Sequence, residues 1–481
     1  MKRPLVAGAV IALSLAACGE LFNDATQCST DDECDRFKAV CDKARGVCVA
    51  RDATDDDDSG PDPSGDEDAD PARPDVSTEE PAPDRCKAAG KETATVGTKI
   101  DGVARGEITG MVTLGCEKDW VLDSLVFVRA GATLKVEAGT TVKAKKGVGA
   151  GIVVQIGGRI VAEGTRDLPI VFTSEATPAA AGDWRGIYVL GAARPGGQPA
   201  YQGDPDLVWG GMNDADDSGA FSFVRIEYGK AGLTLAGAGS KTKIDFVQVR
   251  RPVESCFLFH GGRADAKHLV CQSPSDDQFA WWYGAAGRAQ FLFGQRAAPP
   301  PTFNSGGILV DDSRPQIYNA TICGDDKAQL RGYGVLYRDG ATLNLQGAIV
   351  TGWFAGLDAS GEMTIPGSVR GSVFFGNATN PAYAETPAQG NPDLPDYNDD
   401  FGLDENATFA GAVPANVTTN PGLVDCYDAK APKPWPAGSL TTNAPTPPAD
   451  GFFDGAARFI GAFKDANDTW MQGAWVRFDE N

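Results

Sequence analysis

Several groups of residues in this chain have the types and spacing that chemistry uses. Paired aspartates recur at Asp216-Asp217, Asp276-Asp277, Asp311-Asp312, Asp325-Asp326 and Asp399-Asp400. Two adjacent carboxylates can share a proton or divide the acid and base roles of glycoside cleavage. Aspartate also ends strands and staples turns by accepting from nearby backbone amides, and that reading is favoured here. The densest oxygen cluster is Asn213, Asp214, Asp216 and Asp217 in NDADDSG, a candidate calcium site, although its spacing departs from the EF-hand loop and lacks the distal glutamate. His260 and His268 both lie between Cys256 and Cys271, giving the ligand types of a zinc site. The strand-like runs CFLFH and KHLVC favour instead a disulfide with two incidental imidazoles. Trp281, Trp282 and Tyr283 are consecutive, so in a strand at least one ring faces out, where it could stack on a sugar. Serine-nucleophile and phosphate-loop signatures are absent.

Eleven cysteines are many for a reducing compartment. The N-terminus, MKRPLVAGAVIALSLAAC, accounts for them: Lys2 and Arg3 precede an apolar run too short to span a bilayer permanently, as in an export signal. Leu15, Ala16, Ala17 and Cys18 look like a lipobox, in which Cys18 becomes the lipid-bearing first residue and anchors the protein to a lipid bilayer. Gly19 is not the aspartate that often retains such proteins on an inner membrane, which points to an outer membrane or cell surface. The other ten cysteines can all pair. Cys28, Cys34, Cys41 and Cys48 crowd into a segment too small to fold on hydrophobicity alone, and two disulfides are favoured over a zinc knot because paired C-x2-C knuckles are missing. Cys86 with Cys116 is a natural pair, Cys256 and Cys271 flank adjacent runs, and Cys323 with Cys426 remains by elimination.

The formal charge of -22 argues against nucleic acid as a partner, because a polyanion needs a basic footprint. About half of that excess lies in the proline-rich stretch 51–84, whose apolar side chains nearly vanish. Such a stretch is expected to be a disordered tether, with a loose affinity for calcium at Asp55–Asp58 as the lesser alternative. The expected order is therefore a signal and lipobox at 1–18, a cysteine-rich module at 19–50, the acidic linker at 51–84 and a folded body at 85–481.

The body must position the candidate residues, and its pattern is β. VLDSLVFVRAGATLKVEAGTTVKAKK and GIVVQIGGRIVAEGTRDLPIVFTS are short period-two runs separated by glycines. Their turns are too short for crossover helices and lack the tight turns of a meander, so the chain is expected to coil, each strand pairing with its equivalent one coil later. GATLKVEAG at Gly131 recurs as GATLNLQGA at Gly340, which supports irregular coils of about twenty or more residues. The aromatic stretch Phe452 to Phe478 is expected to close the far end.

GATLKVEAGTTVKA, GGRIVAEGTRDLPIVFTS, GDWRGIYVLG and WGGMNDADDSGAFSFVRIEYG resemble successive coils of exported bacterial lipoproteins with a right-handed, pectate-lyase-like parallel β-helix. The resemblance implies an all-β solenoid with no assigned reaction. Polygalacturonase-like hydrolases of this coil carry Asn-Thr-Asp, Asp-Asp, Gly-His-Gly and Arg-Ile-Lys in that order. Here Asp276-Asp277 and Phe259-His260-Gly261-Gly262 stand in the wrong order, and the first and last motifs are missing. Calcium-dependent lyases need acidic ligands and a basic residue on one face, for which Arg225, Arg250 and Arg251 are the loose candidates. The favoured reading is a non-catalytic envelope protein binding polysaccharide or a surface protein. The alternative is a polysaccharide lyase or hydrolase acting on acidic polysaccharide.

Overall fold

The computed structural model describes residues 86, 90–99, 105–194, 201, 204–296, 306–325, 332–361, 368–379, 381 and 403–478, together with the backbone of a hairpin at 39–42 and 47–50. The chain forms two compact units, 1–78 and 79–481. In the first, Ala39–Asp42 pairs antiparallel with Val47–Ala50, which sets Cys41 across from Cys48. The readings of Cys18, Cys28, Cys34 and the acidic linker lie outside the described residues, as do the side chains of Cys41 and Cys48.

The second unit is a parallel β-solenoid of about ten coils. Each coil lays down strands on three faces. The first and second faces share one fifteen-stranded sheet, and the third is an eleven-stranded sheet running from Thr98–Lys99 and Arg105–Ile108 to Ala355–Ser360. Registers are regular: Ile187, Leu233, Phe257, Phe279, Ile308 and Val335 succeed one another on the third face, all pointing inward. Strand alternation puts every second residue into this column, so each coil contributes its apolar half to one continuous core. Inside it Phe257 stacks on Phe279 at 5.5 Å and Phe259 on Trp281 at 5.0 Å. The GATL repeat marks one station of the coil, with Gly131 and Gly340 both at positive φ and Ala132, Leu134, Ala341 and Leu343 in the core behind them.

How the coil turns corners decides what its surface can do. Early coils break between the first and second faces, as between Arg159–Glu163 and Ile170–Ser174. Later coils run straight through in single strands such as Gly219–Glu227, Lys243–Arg250, Asp265–Gln272 and Arg288–Gln295. Each bends at one residue in the left-handed region: Phe223 at φ 50°, Phe246 at 51°, His268 at 47°, Phe291 at 61° and Asn319 at 55°. Left-handed backbone costs a β-carbon-bearing residue roughly 1–3 kcal/mol, so the surroundings must hold it. Four are held by stacking, with ring centroids 4.5 Å apart for Phe223 and Phe246, 4.2 Å for Phe246 and His268, and 4.9 Å for His268 and Phe291, and Asn319 by accepting from Gln290 and donating to the Phe459 carbonyl.

Both ends are closed. At the start, Thr98–Lys99 turns antiparallel onto Arg105–Ile108, and Cys86 is bonded to Cys116. At the far end a short helix, α1 (Glu405–Ala410), is capped by Asp404 and sets Phe409 edge-on to Phe374. Phe452–Phe478 does not close that end. It runs back along the second face toward the early coils, from Gly461, bonded to Gly347, to Trp475, which sits edge-on to Phe223 and Phe246. The reason lies in side chains along that face and its corner: Arg225, Gln248 and Gln272 on the second face, Asn319 at the corner and Gln290 just before it offer side-chain hydrogen bonds to tail carbonyls. Gln248 and Gln290 each pair doubly, donating to the carbonyls of Arg477 and Asp454 and accepting from the amides of the same residues. A segment of turns and bends laid over such side chains has backbone groups satisfied without forming a strand.

Candidate functional site

Where the returning tail crosses the bent corner, it leaves a cavity of about 530 Å³. The solenoid supplies His268 and Phe291, while the tail supplies Phe459 and Trp470. His268 lies between Phe246 and Phe291, with the Trp470 ring 5.3 Å away. Its Nδ1 donates to Asp245 Oδ1 at 2.7 Å, since a carboxylate can only accept, and this fixes the orientation of the imidazole. Trp470 is fixed in turn: its Nε1 donates to the Ala462 carbonyl at 2.9 Å, and its ring stacks on Phe463 at 4.7 Å.

The rim is polar. Asp454, Lys464, Asp465, Asn467 and Asp468 line it. Asp454 and Asp465 each use Oδ1 to accept one backbone amide, from Ala456 at 2.9 Å and Asn467 at 2.8 Å. Asp468 accepts from Lys464 and Trp470 with its two oxygens. These are turn-stapling aspartates, as the sequence suggested for the chain's aspartates generally, yet the turns they build bring them around a ring floor. The lining contains rings, carboxylates, an amide and an ammonium, and no hydroxyl or thiol nucleophile. Such a set can hydrogen-bond a sugar from the rim over a nearly buried apolar floor.

The sequence-derived candidates scatter. Trp281 is inside the core, 1% exposed, and so is unavailable to a ligand. Trp282 faces out and Tyr283 turns the next corner at φ 53°. Trp282 lines a small cavity of about 40 Å³ on the third face with Tyr201, Thr234, Glu254, Ser255, Leu258 and Asp276. That volume is too small for a sugar ring as it stands. Asp214 is gripped by Arg194 and also lies near Arg263, Asp217 pairs with Arg159, and Asp216 accepts from Ser218 Oγ at 2.7 Å. The acidic members of the calcium candidate thus each face a different partner. Among the described residues no three metal-ligating side chains are grouped.

Cys256 is bonded to Cys271, and Cys323 to Cys426. With those sulfurs joined, His260 and His268 sit on different faces. His260 is buried under Tyr201 and Trp209, ring centroids 5.3 and 5.0 Å away, and burial pushes its pKa down to about 4. Asp277 is also buried, which raises its carboxyl well above the usual range, and it accepts from the Gly306 amide at 2.8 Å. Register sets His260 level with Trp282, five residues beyond Asp277. A strand rise of about 3.3 Å per residue separates them by on the order of 15 Å, too far to act on one bond. Arg225 and Arg250 are buried in an ion-pair network in which both donate to Glu227 Oε1 at 2.8 Å. The tail covers this network, so neither guanidinium is presented as a base.

Phe291, Phe459, Trp470 and the rim aspartates were not singled out as a site. The available signal was the alternation of rings and acids in FFDGAARFIGAFKDANDTW, but it carries no indication of which coil the segment lies against.

A coil of three parallel faces, closed at both ends and filled by stacked side chains, defines the parallel β-helix class. Residues 106–409 match the pectate-lyase-like β-helix domain, and the chain belongs to that family. The fold suggests a carbohydrate-related role. No curated protein and no solved structure matches the chain.

Proposed function

We propose that this is a lipid-anchored envelope protein, held to the outer membrane or cell surface through Cys18, whose solenoid binds polysaccharide without cleaving it. The observation that carries the reading is the corner cavity: a floor of Phe291, Phe459, Trp470 and His268 with a rim of hydrogen-bonding groups, large enough for a sugar unit. The lipobox and the three disulfides of the solenoid support export to an oxidising compartment. The engagement of Arg225, Arg250 and Asp277 supports the non-catalytic side of the reading.

The test uses the full-length chain in detergent against a panel of neutral, amine-bearing and uronate oligosaccharides. Binding should quench tryptophan fluorescence, and long incubation with polymers should release no unsaturated or reducing ends. Steady accumulation of either kind of end would establish an enzyme, and failure to bind any glycan would remove the carbohydrate reading. Cys18→Ser should abolish incorporation of labelled fatty acid; labelling that persists overturns the anchor.

A further inference from the structure

The charge around the corner cavity selects among glycans, and this inference rests on the carbohydrate reading above. Three carboxylates, Asp454, Asp465 and Asp468, line the cavity against the single ammonium of Lys464. A fourth, Asp245, holds the imidazole in its floor. A uronate would bring its own carboxylate to this rim and be repelled. A protonated amine would meet carboxylates of opposite charge at the rim, above a floor of nearly buried rings.

We propose that the cavity binds a glycan bearing free amino groups, an amino-sugar polymer, and disfavours the acidic polysaccharides for which pectate-lyase-like folds are named. The carboxylates need not lose their structural work to do this. Asp454 and Asp465 each spend Oδ1 on a turn amide, which leaves Oδ2 for the ligand.

The experiment compares glucosamine oligosaccharides, their fully N-acetylated counterparts and oligogalacturonate of equal length, titrated into the full chain at pH 6 and low salt. The amine form should bind at least about tenfold more tightly than the acetylated form, from unit charges roughly 4 Å apart in water acting at two or more sites. This preference should shrink as salt screens it. Asp454→Asn with Asp465→Asn keeps both turn acceptors and removes only charge; the pair should erase most of the preference while leaving the melting temperature in place. Equal binding of the amine and acetylated forms overturns the amino-sugar inference and leaves the carbohydrate reading standing. An undiminished preference in the double variant places the amine elsewhere and overturns the assignment to this cavity. If no oligosaccharide binds, the carbohydrate reading itself falls. If an oligolysine peptide competes as well as the amino sugar, the ligand is a cationic chain and not a glycan.

Discussion

The second and third faces of the solenoid are built by the same alternation and treat their outward polar groups in opposite ways. On the second face, Thr173, Arg250 and Arg225 surround Glu227, and Gln248, Gln272 and Gln295 continue the row into carbonyls of the chain beyond residue 426. On the third, His260 lies beneath rings, and neither of its nitrogens, nor Trp209 Nε1, nor Trp282 Nε1, has a hydrogen-bond partner among the described residues. The difference comes from the cover. Peptide backbone brings a carbonyl and an amide per residue and can answer a row of side-chain amides, whereas aromatic rings bring area and almost no acceptors. The second face is held mainly by hydrogen bonds, with the buried Gln295 Oε1 an exception, and the third stores more unpaired polar groups, of the kind that cost about 1–3 kcal/mol each.

The largest effect should come from breaking the better-satisfied side. Glu227→Ala leaves two buried guanidiniums without their counter-charge and should cost about 3–5 kcal/mol, read by chemical denaturation. A loss below 1 kcal/mol would mean that the network contributes little and that the contrast between the faces is false. Next comes acid. Burial lowers the His260 pKa from 6.5 to about 4, so the unfolded chain takes up this proton first, and His260 by itself should drain away on the order of 3 kcal/mol as pH falls from 6.5 toward 4; Asp277, whose carboxyl burial raises, protonates first in the folded chain and offsets part of that loss. Glu227 joins lower down. Burial alone would raise its carboxyl, but Arg225 and Arg250 outweigh burial and hold it below the usual 4.5, so its contribution is present above pH 4.5 and is lost below. His260→Phe should remove the first phase of acid destabilisation and leave the second; an unchanged profile from pH 7 to pH 4 would exclude His260 as its source.

The coil was legible in the sequence because its core obeys period two and its repeats recur, as Gly131 and Gly340 show. The pairings Cys86–Cys116, Cys256–Cys271 and Cys323–Cys426 followed from neighbouring runs and from counting. The corners were hidden. Glycine was read as the turn residue, yet Phe223, Phe246, His268, Phe291 and Asn319 turn the chain at left-handed φ inside what read as unbroken strands. Local propensity cannot reveal this, because the stacking that offsets the strain joins residues on different coils. The same limit hid the cavity: its floor comes from residues near 268 and 291 and from residues near 459 and 470, brought together by a tail whose destination is set by a ladder of glutamines and not by its own sequence.

A smaller effect tests that ladder directly. Gln290→Leu removes a donor to the Asp454 carbonyl and an acceptor from its amide at one edge of the cavity. The loss should be about 1–2 kcal/mol in global stability, with faster hydrogen exchange confined to the tail near residue 454. Exchange that rises evenly over the whole solenoid would show that the tail does not open as its own unit.

The smallest effect is expected away from both covered faces. Asp217 meets Arg159 where both side chains stay accessible, at 36% and 42%, and accepts from the Gly219 amide with its other oxygen. Asp217→Asn keeps the turn acceptor and breaks only a solvated ion pair, so the change should lie within about 1 kcal/mol. Repeating the melt with calcium gives the variant a second use, because Asp217 belongs to the oxygen cluster that suggested a calcium site. With Asp214, Asp216 and Asp217 turned to separate partners, calcium should leave both melting temperatures in place; a calcium-dependent rise in the parent chain that Asp217→Asn abolishes would mean that the three carboxylates reconverge on an ion and that this loop rearranges.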